Sequence, residues 1–451
     1  MSRASAGARQ LALNVLLQVQ AGAYADVALH RTLALEEACR EHAAERALAT
    51  ELVYGTVRRQ RTLDALIDQL GTRPAAKQPP VLRLVLHLGL YQLRYLSAVP
   101  AAAAVNTSVD LAKANGLGKL SGVVNGLLRQ YIRQAEQADP LRLPDHPVAA
   151  LGIRHSYPDW LVALWLDQLG PSETEQLCRW FNQVPSIDLR VNRDRTTVAA
   201  LQTAFEAVGI AVEPLAGIPF GLRLVNHQGA LTDLPGYEAG WWSVQDASAQ
   251  LVGLLLAPQP GDMVLDVCAA PGGKATQMAE MVGHGGKVVA CDRAPSRLKK
   301  ITANATRLGL TNLHVHGGDS TDLAQFHGQA DRVLVDAPCS GLGTLHRHAD
   351  ARWRQSPEGI ASLAELQTAL LTEAARCVKP GGTLVYATCT LHPAENEAVI
   401  EQFCQADPAW QIQPPDSGFG NGLEVAPEGW VRVWPHRQNM DGFFMVKLQK
   451  I

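Results

Sequence analysis

Along residues 1 to about 135, apolar positions recur three and four apart almost without a break. Leu11, Val15, Leu16 and Val19 are followed by Leu48, Leu52, Val53 and Val57, then by Leu82, Val85, Leu86, Leu90 and Leu93. That spacing gathers apolar side chains on one stripe of a helix. Pro100, Gly116, Gly118 and Gly122 punctuate the run, and no alternating pattern intervenes. Residues 1–138 are therefore expected to form an all-helical bundle. The proline-rich stretch from Asp139 to Pro147 reads as a linker.

From 148 to 235 the pattern mixes types. Trp160 to Leu166 and Val198 to Val208 have helical spacing, whereas Ile187 to Asn192 alternates as a strand, with shorter strands at 211–214 and 222–225. This is a small α+β module, an adaptor or an RNA-reading unit. Arg190, Arg193 and Arg195 place cations beside its first strand.

From 236 to 451 the grammar becomes alternation of strand and helix. Strands are expected at 263–267, 287–291, 312–316, 332–336 and 382–387, with helices over Ala275–Met281, Leu298–Leu308 and Leu363–Val378 between them. That alternation predicts an α/β, Rossmann-like, doubly wound parallel sheet. Val431–Trp434 and Gly442–Leu448 read as a terminal antiparallel pair, and the glycine-rich stretch from Asp416 to Gly429 reads as a mobile loop.

Composition narrows the class. A chain of 451 residues with 47% hydrophobic content is long enough for two or three globular domains. No run of about 18 apolar residues occurs, so no membrane span is expected. The opening residues Met1 to Gln20 read as an amphipathic helix and not as a signal-peptide core, which predicts a cytoplasmic location. A net charge of −3 gives no global pull toward nucleic acid, so any such binding must come from local patches. Arg58, Arg59 and Arg61, with Lys113, Lys119, Arg129 and Arg133, are candidates; a solvated helix face is the equal alternative. The eight cysteines form no Cys-x-x-Cys pair, so a zinc site is not expected and the thiols should be free. Cys39, Cys178, Cys377 and Cys404 fall in helical patterns and read as small buried hydrophobes.

A cofactor loop follows the first strand of the α/β region. Cys268, Ala269, Ala270, Pro271, Gly272, Gly273 and Lys274 make a tight turn that opens a helix. Glycines there let backbone N–H groups approach a ligand, and the helix N-terminus favours a negative group. A P-loop is excluded, because Cys268 stands at its first glycine and Ala275 follows Lys274. The Gly-x-Gly-x-x-Gly dinucleotide fingerprint is also absent. Asp292 ends the second strand, placed to accept ribose hydroxyls, and Asp319 follows the third, where it can accept from an adenine amino group. A nucleoside with one small charged tail fits these residues, and S-adenosylmethionine fits best.

Two further strand ends each carry a thiol: Asp336-Ala337-Pro338-Cys339-Ser340-Gly341 and Ala387-Thr388-Cys389-Thr390. Ligands and chemistry gather at the carboxyl ends of parallel strands. Two thiols there, one beside a carboxylate, point to covalent chemistry in which one attacks and the other helps release.

With Gln245-Asp246-Ala247-Ser248 and Asp441-Gly442-Phe443-Phe444, these motifs make residues 240–451 resemble the Sun-type RNA cytosine-5 methyltransferases. Glu51 to Gly55 and Val124 to Arg129 make the N-terminal bundle resemble the NusB-type RNA-binding fold. Thr390 stands where many Sun-type members carry Ser, and Ala349 where a proline is expected. The combination implies a cytosine of 16S rRNA as substrate, on naked rRNA or an early small-subunit particle, with no membrane and no obligate protein partner. By the same resemblance Cys389 is the nucleophile, Asp336 bonds the cytosine edge, Cys339 assists release, and Lys274 orients the base or favours the thiolate. The DNA cytosine-5 enzymes use a Pro-Cys thiol, which would make Cys339 the nucleophile instead. A DNA methyltransferase and an inactive RNA-binding factor are the competing classes.

Overall fold

A computed structural model of the chain describes residues 4–35, 42–225 and 229–451. Cys39 lies outside the described residues. The chain forms two compact units, Met1–Gln183 with Leu345–Arg354, and Val184–Thr344 with Gln355–Ile451. The expected 148–235 stretch contributes its first helices to one unit and its strands to the other.

The first unit is all helical. It holds α1 (Ala4–Gln20), α2 (Ala25–Leu35), α3 (Ala43–Leu70), α4 (Pro80–Tyr95), α5 (Ala101–Ala114), α6 (Ser121–Ala135), α7 (Pro147–His155) and α8 (Asp159–Trp180). Leu11, Leu52, Val53, Leu63, Leu66, Val85, Leu86, Leu88 and Leu128 meet in one core. These are the apolar stripes of the sequence, turned toward one another. Not every cation lies outside that core, and here the expectation is corrected. Arg58 is buried, donating to the His346 carbonyl at 3.2 Å. Half-buried Arg61 pairs with Asp159 at 2.7 Å, and Arg59 lies 4.8 Å from the Tyr95 ring centre. Lys113, Lys119, Arg129 and Arg133 are exposed.

The second unit holds two sheets. The smaller is antiparallel, of β1 (Ile187–Val191), β2 (Val212–Pro214), β3 (Gly221–Leu224) and β4 (Trp242–Val244), in the order β2-β3-β1-β4. Helix α9 (Val198–Glu206), capped by Thr197, packs Leu201 and Phe205 on Leu189, Val191 and Trp242. Arg190 is buried rather than presented to a ligand. It pairs with Glu280 at 2.5 Å and donates to Gln245 and Thr276 at 2.7 and 2.9 Å.

The larger sheet follows helix α10 (Ala247–Leu256). Its strands are β5 (Met263–Asp266), β6 (Lys287–Asp292), β7 (Leu313–Gly317), β8 (Ala330–Asp336), β9 (Val378–Thr388), β10 (Trp410–Gln413), β11 (Val431–Val433) and β12 (Phe443–Lys450). Between them lie α11 (Gly273–Val282), α12 (Pro295–Leu308), α13 (Pro357–Cys377) and α14 (Glu397–Ala406). The order is β10-β12-β9-β8-β5-β6-β7, with β11 on β12; the five strands β5 to β9 are parallel and β10 to β12 antiparallel. The chain runs outward from β5 through β6 to β7, then returns to the other side of β5 as β8. A crevice opens at such a switch point, outside the carboxyl ends of the strands. Asp266 and Asp336 end the two strands that flank it.

Candidate active site

The loop after β5 is held from both neighbours. Val267 donates its backbone N–H to the Leu334 carbonyl at 3.0 Å, and Ala269 to that of Cys291 at 2.8 Å. The Ala270–Pro271 bond is cis, and Gly272 follows at φ +107°, in the left-handed region that side chains rarely adopt. A Cβ there would press on Ile301 at 3.3 Å. This backbone delivers Gly273 and Lys274 as the first residues of α11.

Asp292 is buried at the end of β6. Its Oδ1 accepts from the Ala294 N–H at 2.8 Å, and its Oδ2 lies 3.3 Å from Arg297. Arg297 also donates to the Ala270 carbonyl at 2.6 Å, so one guanidinium ties the Asp292 turn to the glycine loop. Asp319 is exposed beyond β7, where hydrogen bonds from the Thr321 N–H and hydroxyl hold its carboxyl below the usual range.

The second cluster joins the ends of β5, β8 and β9. Register places Asp336 beside Ala387, so the two motif loops leave the sheet side by side. Cys339 and Cys389 bring their Sγ atoms to 3.4 Å. Lys274 reaches across from α11 to bond Asp336 at 2.7 Å, and its ammonium lies 4.9 Å from the Phe443 ring centre. Burial alone would lower the Lys274 pKa, but the charge and hydrogen bond of Asp336 raise it above its ordinary value. The hydrogen bond to Cys389, with burial, raises the Cys339 thiol well above the ordinary range, and the Glu395 charge adds to this. Burial, then the nearby Asp336 charge, push Asp266 up to about 8. Burial likewise raises Cys268, so this loop cysteine behaves as an un-ionised thiol.

Every site residue expected from the sequence therefore lies at the carboxyl edge of this sheet. Lys274, Asp336, Cys339 and Cys389 converge, whereas Asp292 and Asp319 stand on the β6–β7 side. Cys178 and Cys377 are buried and Cys404 is half-buried. The flanking motifs also join the site. The Asp441 N–H bonds Asp246, which caps α10, and the Gly442 N–H donates to the Gly343 carbonyl at 2.8 Å. A Cβ on Gly343 would lie 2.0 Å from the Gly442 oxygen, so only glycine allows this approach. Three contributors escaped sequence reasoning: Arg297, Phe443 and Glu395. Phe443 lies within the Asp441–Phe444 motif, but nothing in the sequence assigns it a role of its own. The others had only the weak signal of a charge beside an apolar run.

Glycine loop, strand-end acids and paired thiols at the switch point of a doubly wound sheet define a Rossmann-like methyltransferase domain, here combined with an all-helical domain and a small α+β domain. Family models agree: 16S rRNA methyltransferase RsmB/F matches residues 253–449, the NusB family 6–133, and the RsmF/B-like ferredoxin-like domain 157–230. The probable ribosomal RNA small subunit methyltransferase B of Synechocystis is 50% identical, over 98% of this chain and 99% of its own. The ribosomal RNA small subunit methyltransferase B of Serratia proteamaculans is 38% identical, over 90% and 91%. Among solved structures, PH0851 superposes with a TM-score of 0.81 at 25% identity, covering 99% of each chain. A methyltransferase homologue from Pyrococcus horikoshii gives 0.60 at 27%, covering 68% of this chain and all of its own. The chain belongs to the RsmB family of S-adenosylmethionine-dependent 16S rRNA methyltransferases.

Proposed function

We propose that this protein methylates carbon 5 of a cytosine in 16S rRNA through a covalent adduct on Cys389. The observation that carries the reading is the 3.4 Å approach of Cys389 and Cys339 beside the Lys274–Asp336 pair. S-adenosylmethionine, when bound, supplies the methyl group. The residues present fit it: the backbone of Cys268 to Gly273 would cradle it, with Lys274 closing the loop, Asp292 would accept the ribose hydroxyls, Asp319 would face the adenine edge, and Asp336 would border the methyl end.

Carbon 5 of cytosine is a weak nucleophile until a group adds at carbon 6. A free cysteine has a pKa of about 8.5, and its thiolate is the attacking form. Lys274 keeps a positive charge near Cys389 for that purpose. The Asp336 oxygen not bonded to Lys274 accepts from the base edge and supports a proton on N3, which makes the ring a better electron sink. Attack by Cys389 leaves carbon 5 electron-rich, and it takes the methyl group. Loss of the carbon 5 proton then re-forms the ring double bond, and the Cys389 sulfur departs with its electron pair. Cys339, held as a thiol 3.4 Å from Cys389, passes its proton to that departing sulfur and takes the carbon 5 proton in its place. The target base must leave its stack to reach these groups, which single-stranded or loop RNA makes easier.

The test is to incubate wild type, Cys389→Ala and Cys339→Ala with S-adenosylmethionine and 16S rRNA, then resolve adducts on a denaturing gel. Adduct that accumulates in Cys339→Ala and vanishes in Cys389→Ala is the expected result. The reverse pattern would move the nucleophile to Cys339. Transfer to DNA in preference to RNA would overturn the substrate class.

A further inference from the structure

The two cysteine loops are not held by the sheet alone. Beyond the strand ends, each loop turns onto one buried carboxylate, that of Glu395, which is wholly inaccessible to solvent. Its Oε1 accepts from the Ser340 backbone N–H at 2.8 Å, immediately after Cys339. Its Oε2 accepts from the Thr390 hydroxyl at 3.0 Å, immediately after Cys389, and from the Ser340 hydroxyl. Those two hydroxyls also meet each other at 2.8 Å. Gln367 of α13 donates one amide to both Glu395 and the Pro338 carbonyl, at 3.1 and 2.9 Å. Asn396 completes the frame, accepting from Thr388 at 2.6 Å and donating to the Thr390 carbonyl at 3.1 Å.

Such a group is costly to bury. A carboxylate removed from water needs compensating donors, and Glu395 takes four from neutral groups; among the described residues no cation forms an ion pair with it. Every donor belongs to a loop that carries a cysteine, or to the Gln367 side chain that holds one of those loops. A carboxylate is the one short side chain that can accept on two oxygens at once from donors on both sides, whereas an amide or hydroxyl would leave a partner unmet. We infer that Glu395 is the positioning residue of the reaction: its buried carboxylate sets the separation of Cys339 and Cys389. The effect fits the roles given to the thiols, because attack and release both depend on geometry at the scale of an ångström. The inference rests on the two-thiol reading above.

The test needs one readout that requires no turnover. Dibromobimane bridges thiols a few ångströms apart, and the Cys339–Cys389 bridged peptide can be measured by mass spectrometry. In Glu395→Ala the bridged peptide is expected to fall sharply. Turnover at saturating substrate should drop about 10²-fold, the loss typical of an ångström-scale misplacement. The S-adenosylmethionine Kd and the RNA KM should stay within about threefold, because neither site uses this carboxylate. Glu395→Gln, which keeps the shape and one oxygen acceptor, should recover turnover to within about tenfold of wild type. If Glu395→Ala does not fold, Ser340→Ala removes one donor with a smaller perturbation and should lower both bridging and turnover. Unchanged bridging and turnover in the folded variant would overturn the inference. So would equal losses of turnover and cofactor binding in both Glu395 variants. Wild-type protein that bridges through these thiols but transfers no methyl group would sink the two-thiol reaction instead, and the bridging series would still decide the role of Glu395.

Discussion

Asp266 shows how a single residue couples this site to stability. It ends β5 wholly buried, and burial followed by the Asp336 charge pushes its pKa up to about 8. The unfolded value is about 3.9. A carboxyl with a raised folded pKa holds its proton more tightly in the folded chain. Between about pH 4 and pH 8 the folded state therefore binds a proton that the unfolded state has released, and stability falls as pH rises through that window. Asp266→Asn removes the titration while keeping the shape. Melting curves without cofactor should coincide with wild type near pH 4 and lie above it near pH 8. Parallel curves across the whole range would show that Asp266 carries no such penalty.

At the scale of elements, Leu345–Arg354 behaves as an added piece of the helical unit. Ala349 sits in the helical core, and the His346 ring packs 4.4 Å from that of Trp180. The Trp353 indole donates to the Val57 carbonyl at 2.9 Å. Arg352 is its anchor. The guanidinium is fully buried over the Tyr157 ring at 4.2 Å and donates to the carbonyls of Arg58, Ser156 and Leu345 and to Asn182. Burial lowers its pKa to about 10, so it stays charged at neutral pH. Arg352→Ala strands several buried acceptors, and the expected cost is about 3 kcal/mol in urea unfolding of this unit. Arg352→Lys should recover only part, since one ammonium cannot span four acceptors in different directions. A loss below about 1 kcal/mol would mean that water replaces the guanidinium.

What could be read from the chain follows from range. The five parallel strands of the larger sheet are short apolar runs bounded by turn formers, and their alternation with helices predicts the doubly wound class, though neither the strand order nor β10. Helix α10 was not legible, because Ala247–Leu256 is apolar on nearly every face and buried on most, which leaves no period to detect. The three-residue strand β4 is too short to carry a pattern. Motif cysteines and acids were legible because each lies at or just beyond the carboxyl end of a strand. The Glu395 frame was not, since it joins positions 340, 367, 390 and 395 only after folding. Arg58 and Arg190 were misread for the same reason: the partners that bury them, His346 and Glu280, are distant in sequence.

For the whole molecule, the problem is how a chain of net charge −3 engages a polyanion. Attraction has to be local, and the buried or half-buried arginines of the helical unit are already committed to internal partners. Lys119, Arg129 and Arg133 are exposed, and the last two stand one turn apart on α6. Each phosphate contact releases counterions and steepens the salt dependence of binding by about 0.7 to 0.9 in the log–log slope. A triple Lys119→Ala, Arg129→Ala, Arg133→Ala variant should therefore lower the slope for 16S rRNA by roughly 2 if this face meets phosphate. Its affinity for S-adenosylmethionine should not change, and turnover at saturating RNA should stay near wild type, because these residues lie in the other unit from the thiols. Fluorescence anisotropy across a salt series gives the slope. An unchanged slope would show that these cations belong to a solvated face, and that the charge holding the RNA lies elsewhere.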